Sequence, residues 1–203
     1  MNYCIVMNVL NEEKSITDWL DYYLPFKIPI LIWDSGSTDK TRQVVDLHES
    51  EYYNVKDWTP VIFFGKGFEN LPDPTDFSQR KNYMHKVAKE QGYDWVIHVD
   101  CDERFDKALL NGLTYIIKQH PEIVAYKFPR INLSDPASYP DYQVRVLKLG
   151  VGIEWQRNPH EIPVIPREGN GFINLHDYIG TRIMQMLPIL HLKRDLTKNR
   201  PWW

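Results

Sequence analysis

The stretch "DWVIHVDCDER", residues 94–104, runs an apolar segment (Trp95, Val96, Ile97, Val99) straight into Asp100, Asp102 and Glu103. A short apolar run rich in Val and Ile, with polar residues at both ends, reads as a fully buried strand. Three carboxylates crowded at the end of such a strand repel one another and lose hydration, so the arrangement calls for a positive partner.

Outward from this strand the pattern repeats. "NYCIVMNVL" (2–10), "IPILIWD" (28–34) and "PVIFFG" (60–65) are three more buried strands. Between the first two, Ile16, Trp19, Leu20, Tyr23 and Leu24 share one helical face, with Ser15 as expected N-cap and Pro25 ending the run. A second helix is expected to start near Asp39. "DFSQRKNYMHKVAKEQG" (76–92) turns Phe77, Met84, Val87 and Ala88 inward and stops at Gly92, and "FDKALLNGLTYIIKQH" (105–120) carries an apolar stripe of Phe105, Leu109, Leu113, Ile116 and Ile117. Strand–helix alternation of this kind predicts an α/β fold, a mostly parallel sheet with helices on both faces. After residue 120 the texture changes. "IVAYKFPRINL" (123–133), "YQVRVLKLG" (142–150) and "GIEW" (152–155) read as strands of a small antiparallel extension on the same domain, and the tail "DLTKNRPWW" (195–203) as loosely ordered.

Composition narrows the class. The chain has 203 residues, 43% of them hydrophobic, which suits one sizeable core. A net charge of −3 and the lack of a basic block give no attraction for nucleic acid. Two cysteines without a CxxC spacing suit reduced thiols and a cytoplasmic location. The N-terminus reads as no signal peptide, and no window approaches the ~20 apolar residues of a membrane span. There is no P-loop and no GxSxG elbow. Gly65-Lys66-Gly67 and Gly150-Val151-Gly152 lack the third glycine of a dinucleotide fingerprint, and "HEIPV" at His160 misses the zinc pattern at its last position.

In an open α/β sheet, ligands bind beyond the carboxyl ends of the strands. Three such ends carry carboxylates: Asn11-Glu12-Glu13, the loop from Asp34 to Asp39, and Asp100 to Glu103. The Asp34 loop leads into a helix N-terminus that suits an anion, while Asp34 suits a base or ribose; equally, Ser37 or Asp39 caps that helix and Gly36 makes a turn. Asp100 and Asp102 alternate around Cys101. In extended backbone they point to one side and can share Mn²⁺ or Mg²⁺; the alternative is an acidic turn with Asp102 capping the next helix.

Together, "MNVLNEEKSI" (7–16), "IWDSGSTDKT" (32–41), "SQRKNYMHKVAKEQGYDWVIHVDCDE" (78–103), "PRINL" (129–133), "QVRVL" (143–147) and "RNPHE" (157–161) resemble the inverting family 2 glycosyltransferases of GT-A fold. These transfer a sugar from a nucleotide-diphosphate-sugar donor. The resemblance implies a single domain over 1–203, with a donor half (1–104), an acceptor-side half (105–195) and a tail (196–203). It implies that Glu12 or Glu13, in the Asn11 loop, holds the nucleoside together with Asp34, and that Arg80 lies near the diphosphate unless it only solvates a helix face. Asp100 and Asp102 would bind Mn²⁺ or Mg²⁺ against the diphosphate, with His191 as a late metal or phosphate contact or a structural histidine. Glu161 would be the general base, with Asp141 in reserve, unless Glu161 pairs with Arg157. The acceptor would be a glycan, a lipid-linked sugar or a protein, and Trp202-Trp203 could touch a membrane surface. Two rival readings are an Asp-x-Asp phosphohydrolase with Asp100 as nucleophile, and a non-catalytic nucleotide-sugar or glycan-binding module that uses some of the 7 tryptophans and 12 tyrosines.

Overall fold

Four strands from the first half of the chain, β1 (Tyr3–Val9), β2 (Ile30–Asp34), β3 (Val61–Phe64) and β4 (Trp95–His98), lie parallel in the order β3-β2-β1-β4. A computed structural model of the chain describes residues 2–53, 61–64, 68–157, 160–167, 169, 171–185 and 187–192. Both faces of these strands are apolar because both are covered. Ile5, Met7, Ile30, Ile32, Trp95 and Ile97 point to one side, and Cys4, Val6, Leu31, Trp33 and Val96 to the other. Helices α1 (Ile16–Tyr23), α2 (Thr41–Tyr53) and α4 (Lys107–Gln119) bring Trp19, Leu20, Val45, Leu109 and Leu113 to the first side. Helix α3 (Phe77–Glu90) packs Met84 and Ala88 on the second.

The helix boundaries differ from expectation in two places. Ser15 stands at the N-cap of α1 without capping it, because its hydroxyl donates to Glu12 Oε2 at 3.0 Å. Phe105 is not in a helix. It closes a three-residue strand, β5 (Glu103–Phe105), and Asp106, not Asp102, caps α4 by accepting from the Ala108 amide at 2.7 Å. Phe105 still fills the core, from a strand.

Beyond residue 120 the chain returns to the same sheet. Strands β6 (Ala125–Asn132) and β7 (Asp141–Lys148) form an antiparallel pair, and β7 docks antiparallel on β4. The expected extension is therefore part of the main sheet. The segment "GIEW" supplies β8 (Glu154–Gln156), which with β9 (Ile162–Pro166) and β10 (Phe172–Asn174) makes a separate three-stranded antiparallel sheet packed against α3 through Trp155 and Ile165. Two short strands not foreseen, β11 (Thr181–Ile183) and β12 (Ile189–His191), pair with β6; β12 also pairs with β5 and completes the order β3-β2-β1-β4-β7-β6-β12-β5. The tail 195–203 and Gly65-Lys66-Gly67 lie outside the described residues. No described helix is long and apolar enough to cross a membrane.

Candidate functional site

Because β1, β2 and β4 are parallel, the loops after them emerge at one edge, and β7, running the other way, starts there. The loops after β1 and β2 are stitched together. Asn11 sits at φ 56°, a left-handed conformation that Asn tolerates, and its side-chain oxygen accepts from the Thr38 amide at 2.8 Å. Its own amide donates to Ser37 Oγ at 2.9 Å. Glu13 accepts from the Lys40 amide at 3.0 Å, and Asp39 caps the start of α2 through the Thr41 amide at 2.9 Å. Asp34 Oδ1 accepts from the amides of Gly36 (3.1 Å) and Ser37 (2.8 Å) and from the Ser37 hydroxyl (2.7 Å). Gly36 takes φ 100° to close that turn, a conformation open to residues without Cβ. All three bonds fall on one oxygen, so Asp34 Oδ2 has no partner among the described residues.

Arg80 belongs to this loop region. It is 7% exposed, its Nε donates to the Pro74 carbonyl at 2.5 Å, and its Nη1 donates to Ser35 Oγ at 2.9 Å. Its guanidinium lies over Phe68 and Phe77, at 5.3 and 5.1 Å from the ring centroids. Burial moves its pKa down from the ordinary value. It is neither a solvated face nor a lining residue of the cavity described below.

The acidic run at the end of β4 has a protein cation as its partner. Extended backbone ends at His98, and the Glu103 amide donates to the Asp100 carbonyl at 3.0 Å, so residues 100–103 form a turn. This corrects the expectation that extended backbone points Asp100 and Asp102 to one side: in the turn Asp100 pairs with Arg145 and Asp102 with His191. The β4–β7 register sets Ile97 opposite Val146, which puts Arg145 at the strand end. Arg145, 5% exposed, bonds Asp100 Oδ2 at 2.8 Å and Glu103 Oε1 at 2.5 Å. Glu103 is fully buried, and its other oxygen accepts from the Asp100 amide at 3.2 Å. Burial lifts the Glu103 carboxyl above its ordinary range despite Arg145. The Asp100 side chain is 57% exposed; desolvation by the crowded cluster raises its pKa, but Arg145, then Lys81 and Arg130, hold it below the usual value. Arg130 also reaches Glu103 Oε1, at 3.7 Å, and pairs with Asp141, its register partner across β6 and β7.

Asp102 points elsewhere. His191 lies opposite Glu103 in the β5–β12 pairing, and its Nε2 stands 3.0 Å from Asp102 Oδ2. His191 Nδ1 is buried with no partner among the described residues. One carboxylate and one imidazole suit Mn²⁺ or Mg²⁺ when water and phosphate oxygens supply the other ligands. No group of three or more His, Cys, Asp or Glu side chains gathers as a metal cage among the described residues. Asp102 and His191 would hold such an ion only together with oxygens supplied by a ligand.

Between α3, β7 and the small sheet lies a cavity of about 200 Å³ lined by Lys81, Asp100, Arg130, Gln143, Val144, Arg145, Trp155, Glu161, Pro163 and His176. Of the two expected bases, Glu161 lines it and pairs with Lys81 at 3.4 Å, not with Arg157. Asp141 stands behind Arg130; its Oδ1 accepts from Gln143 at 2.8 Å and its Oδ2 from Arg130 Nε at 2.9 Å. Lys81 also sits 4.2 Å above the Trp155 ring. Trp155 is held from below by a buried histidine pair: its Nε1–H donates to His85 Nε2 at 3.3 Å, and the Nε2 atoms of His85 and His98 are 2.6 Å apart. Burial, helped by the Lys81 charge, pushes His85 down to about 3, and burial with His85 pushes His98 well down too.

Sequence reasoning missed Lys81, Arg145, Trp155 and His176. Arg145 left a signal, an arginine inside the apolar alternation Val144-Arg145-Val146, which requires a buried anion nearby.

No protein-family model matches the chain, and no curated protein matches it. Among solved structures, TarS of S. aureus (1–349) is similar at 21% identity and a TM-score of 0.46, over 66% of this chain and 36% of that one. The mannosyltransferase PcManGT of Pyrobaculum calidifontis, solved with GDP-Man and Mn²⁺, is similar at 14% identity and a TM-score of 0.45, over 64% of this chain and 35% of that one. The matched part thus spans about a third of the length of these neighbours.

Proposed function

We propose that this chain transfers a sugar from a nucleotide-diphosphate-sugar donor to an acceptor hydroxyl, as a GT-A-type glycosyltransferase that inverts the anomeric centre. The observation that carries this reading is the cavity at the carboxyl end of the parallel strands, where Lys81, Arg130 and Arg145 converge with Asp100, two residues before the Asp102 that pairs with His191. Preorganised cations aimed at one point suit a reaction whose leaving group is a diphosphate. The cavity is smaller than the roughly 300 Å³ at which small-molecule clefts begin. It suits the sugar-phosphate end of the donor, with the nucleoside along the Asn11 and Asp34 loops and Asp34 Oδ2 available to a ribose hydroxyl or base. In this reading Glu12 and Glu13 shape that loop through Ser15 and Lys40, and Arg80 fixes Ser35 beside it. Bound Mn²⁺ or Mg²⁺ at Asp102 and His191 would act as a Lewis acid toward the departing diphosphate.

The test is calorimetric titration with UDP, GDP and their hexose conjugates, with Mn²⁺ and with chelator. Metal-dependent binding is expected, and Asp102→Ala should lose its metal-dependent part. Binding to none of these ligands sinks the reading. One observation favours the non-catalytic alternative: Glu161 and Asp141, the carboxylates expected to take the acceptor proton, are both ion-paired. Donor binding without release of nucleoside diphosphate would decide for it.

A further inference from the structure

We propose that His176 is the group that removes the acceptor's proton. The inference rests on the glycosyl-transfer reading and names a catalytic residue within that site. Most polar groups of the cavity are already engaged. Lys81 and Glu161 hold each other; Arg145 holds Asp100 and Glu103; Arg130 holds Asp141; Gln143 bonds Asp141; and Trp155 gives its N–H to His85. His176 also lines the cavity, and among the described residues neither of its ring nitrogens has a hydrogen-bond partner.

The backbone of His176, by contrast, is pinned. Its carbonyl accepts from Lys127 Nζ at 2.5 Å, and its amide donates to Asn174 Oδ1 at 3.0 Å. The preceding Leu175 is fully buried, with its amide on the Pro163 carbonyl at 2.9 Å. A rigid turn therefore carries a free imidazole, which a positioned base requires.

A proton on Glu161 would break its pair with Lys81 and leave a largely buried ammonium without its anion; a proton on Asp141 would do the same to Arg130. A proton on His176 breaks no pair. Lys81, Arg130, Arg145, Asp100 and Glu161 line the same cavity as His176, and the balance at its ring runs both ways: burial and Lys127 move its pKa below the ordinary 6.5, while Asp177 and Asp141 oppose them. The ring is therefore neutral, and able to accept, at neutral pH.

The step balances. The acceptor O–H proton passes to an imidazole nitrogen of His176, and the oxygen lone pair forms the new bond to the anomeric carbon. The bond from that carbon to the diphosphate oxygen breaks, and its electron pair leaves with the nucleoside diphosphate. The imidazolium then gives its proton to solvent.

The experiment follows nucleoside diphosphate release from UDP- and GDP-hexoses with Mn²⁺, using water and simple alkyl glycosides as acceptors. His176→Asn should lose turnover by on the order of 10²- to 10⁴-fold while donor affinity stays within about twofold. The wild-type rate should fall on the acid side of a single titration below pH 6.5, and His176→Asn should lack that limb. Added imidazole should restore part of the turnover of His176→Ala, which no purely structural role predicts. Wild-type turnover in His176→Asn overturns the base assignment and leaves the transfer reading intact. Loss of donor binding together with turnover, without imidazole rescue, also overturns it. A wild-type chain that releases no diphosphate from any of these donors overturns the transfer reading and this inference with it.

Discussion

The loops after β1 and β2 hold their polar residues with hydrogen bonds to backbone amides and hydroxyls, some local, as at Asp34, which bonds residues two and three positions ahead, and some from one loop to the other, as from Thr38 to Asn11. Beside β4 and β7 the polar residues are held by ion pairs between partners far apart in sequence: Arg145 to Glu103 across 42 residues, Lys81 to Glu161 across 80. The first arrangement costs little to expose, because water can replace each partner. Much of the second is withheld from water, although the Asp100 side chain is exposed, and each buried charge there depends on its opposite. One region leaves accessible polar groups along a loop; the other keeps paired charges beside a cavity, where they act more strongly on whatever enters.

Breaking the buried cluster should therefore have the largest effect. Arg145→Ala leaves the fully buried Glu103 with only the more distant Arg130, at 3.7 Å, and should cost about 3–5 kcal/mol, read as a shift in urea midpoint. Arg145→Lys should recover part of it: both contacts come from the single nitrogen Nη2, which an ammonium replaces only as far as its shorter stem reaches the same point. A cost below about 1 kcal/mol would show that the cluster is wet, and the contrast would collapse.

The histidine pair gives the next effect. His85 and His98 are held neutral in the fold, below their unfolded value of 6.5, so above that pH they contribute no pH dependence. Below 6.5 the unfolded chain takes up protons that the folded chain refuses, and stability falls as pH falls, down to about 3 for His85. Each imidazole should cost about 1.4 kcal/mol per pH unit in that window. Unfolding curves at pH 7.5 and 5.5 should differ accordingly, and His98→Leu should flatten the difference. An unchanged midpoint would mean that the pair is protonated in the fold.

Asp34→Ala should have the smallest effect on stability, about 1 kcal/mol, because its partners are partly exposed and water replaces it. Its effect on donor affinity should exceed its effect on unfolding. If instead it destabilises as much as Arg145→Ala, the two regions are not held differently.

The same contrast explains what the sequence disclosed. The buried strands β1 to β4 and the helices between them are legible because each writes its own period into contiguous residues. Carboxylates at three strand ends were legible for the same reason. The partner of Asp100 was not, because Arg145 reaches it only through the register of an antiparallel return, 45 residues on. Strands β9 to β12 are three to five residues long. Pairing, not pattern, decides segments that short. His176 sits in a turn, where no periodicity marks it at all.

Asn82 of α3 has a consequence of its own. Its side-chain oxygen accepts from the Trp155 amide at 2.7 Å and its amide nitrogen donates to the Trp155 carbonyl at 3.0 Å. Strand β8 lies at the margin of the small sheet, and a bare margin is a template for another chain's strand. Here a helix residue imitates one rung of a missing neighbour. It seals that margin against sticky self-association and couples the wall that carries Trp155 to the helix that carries Lys81.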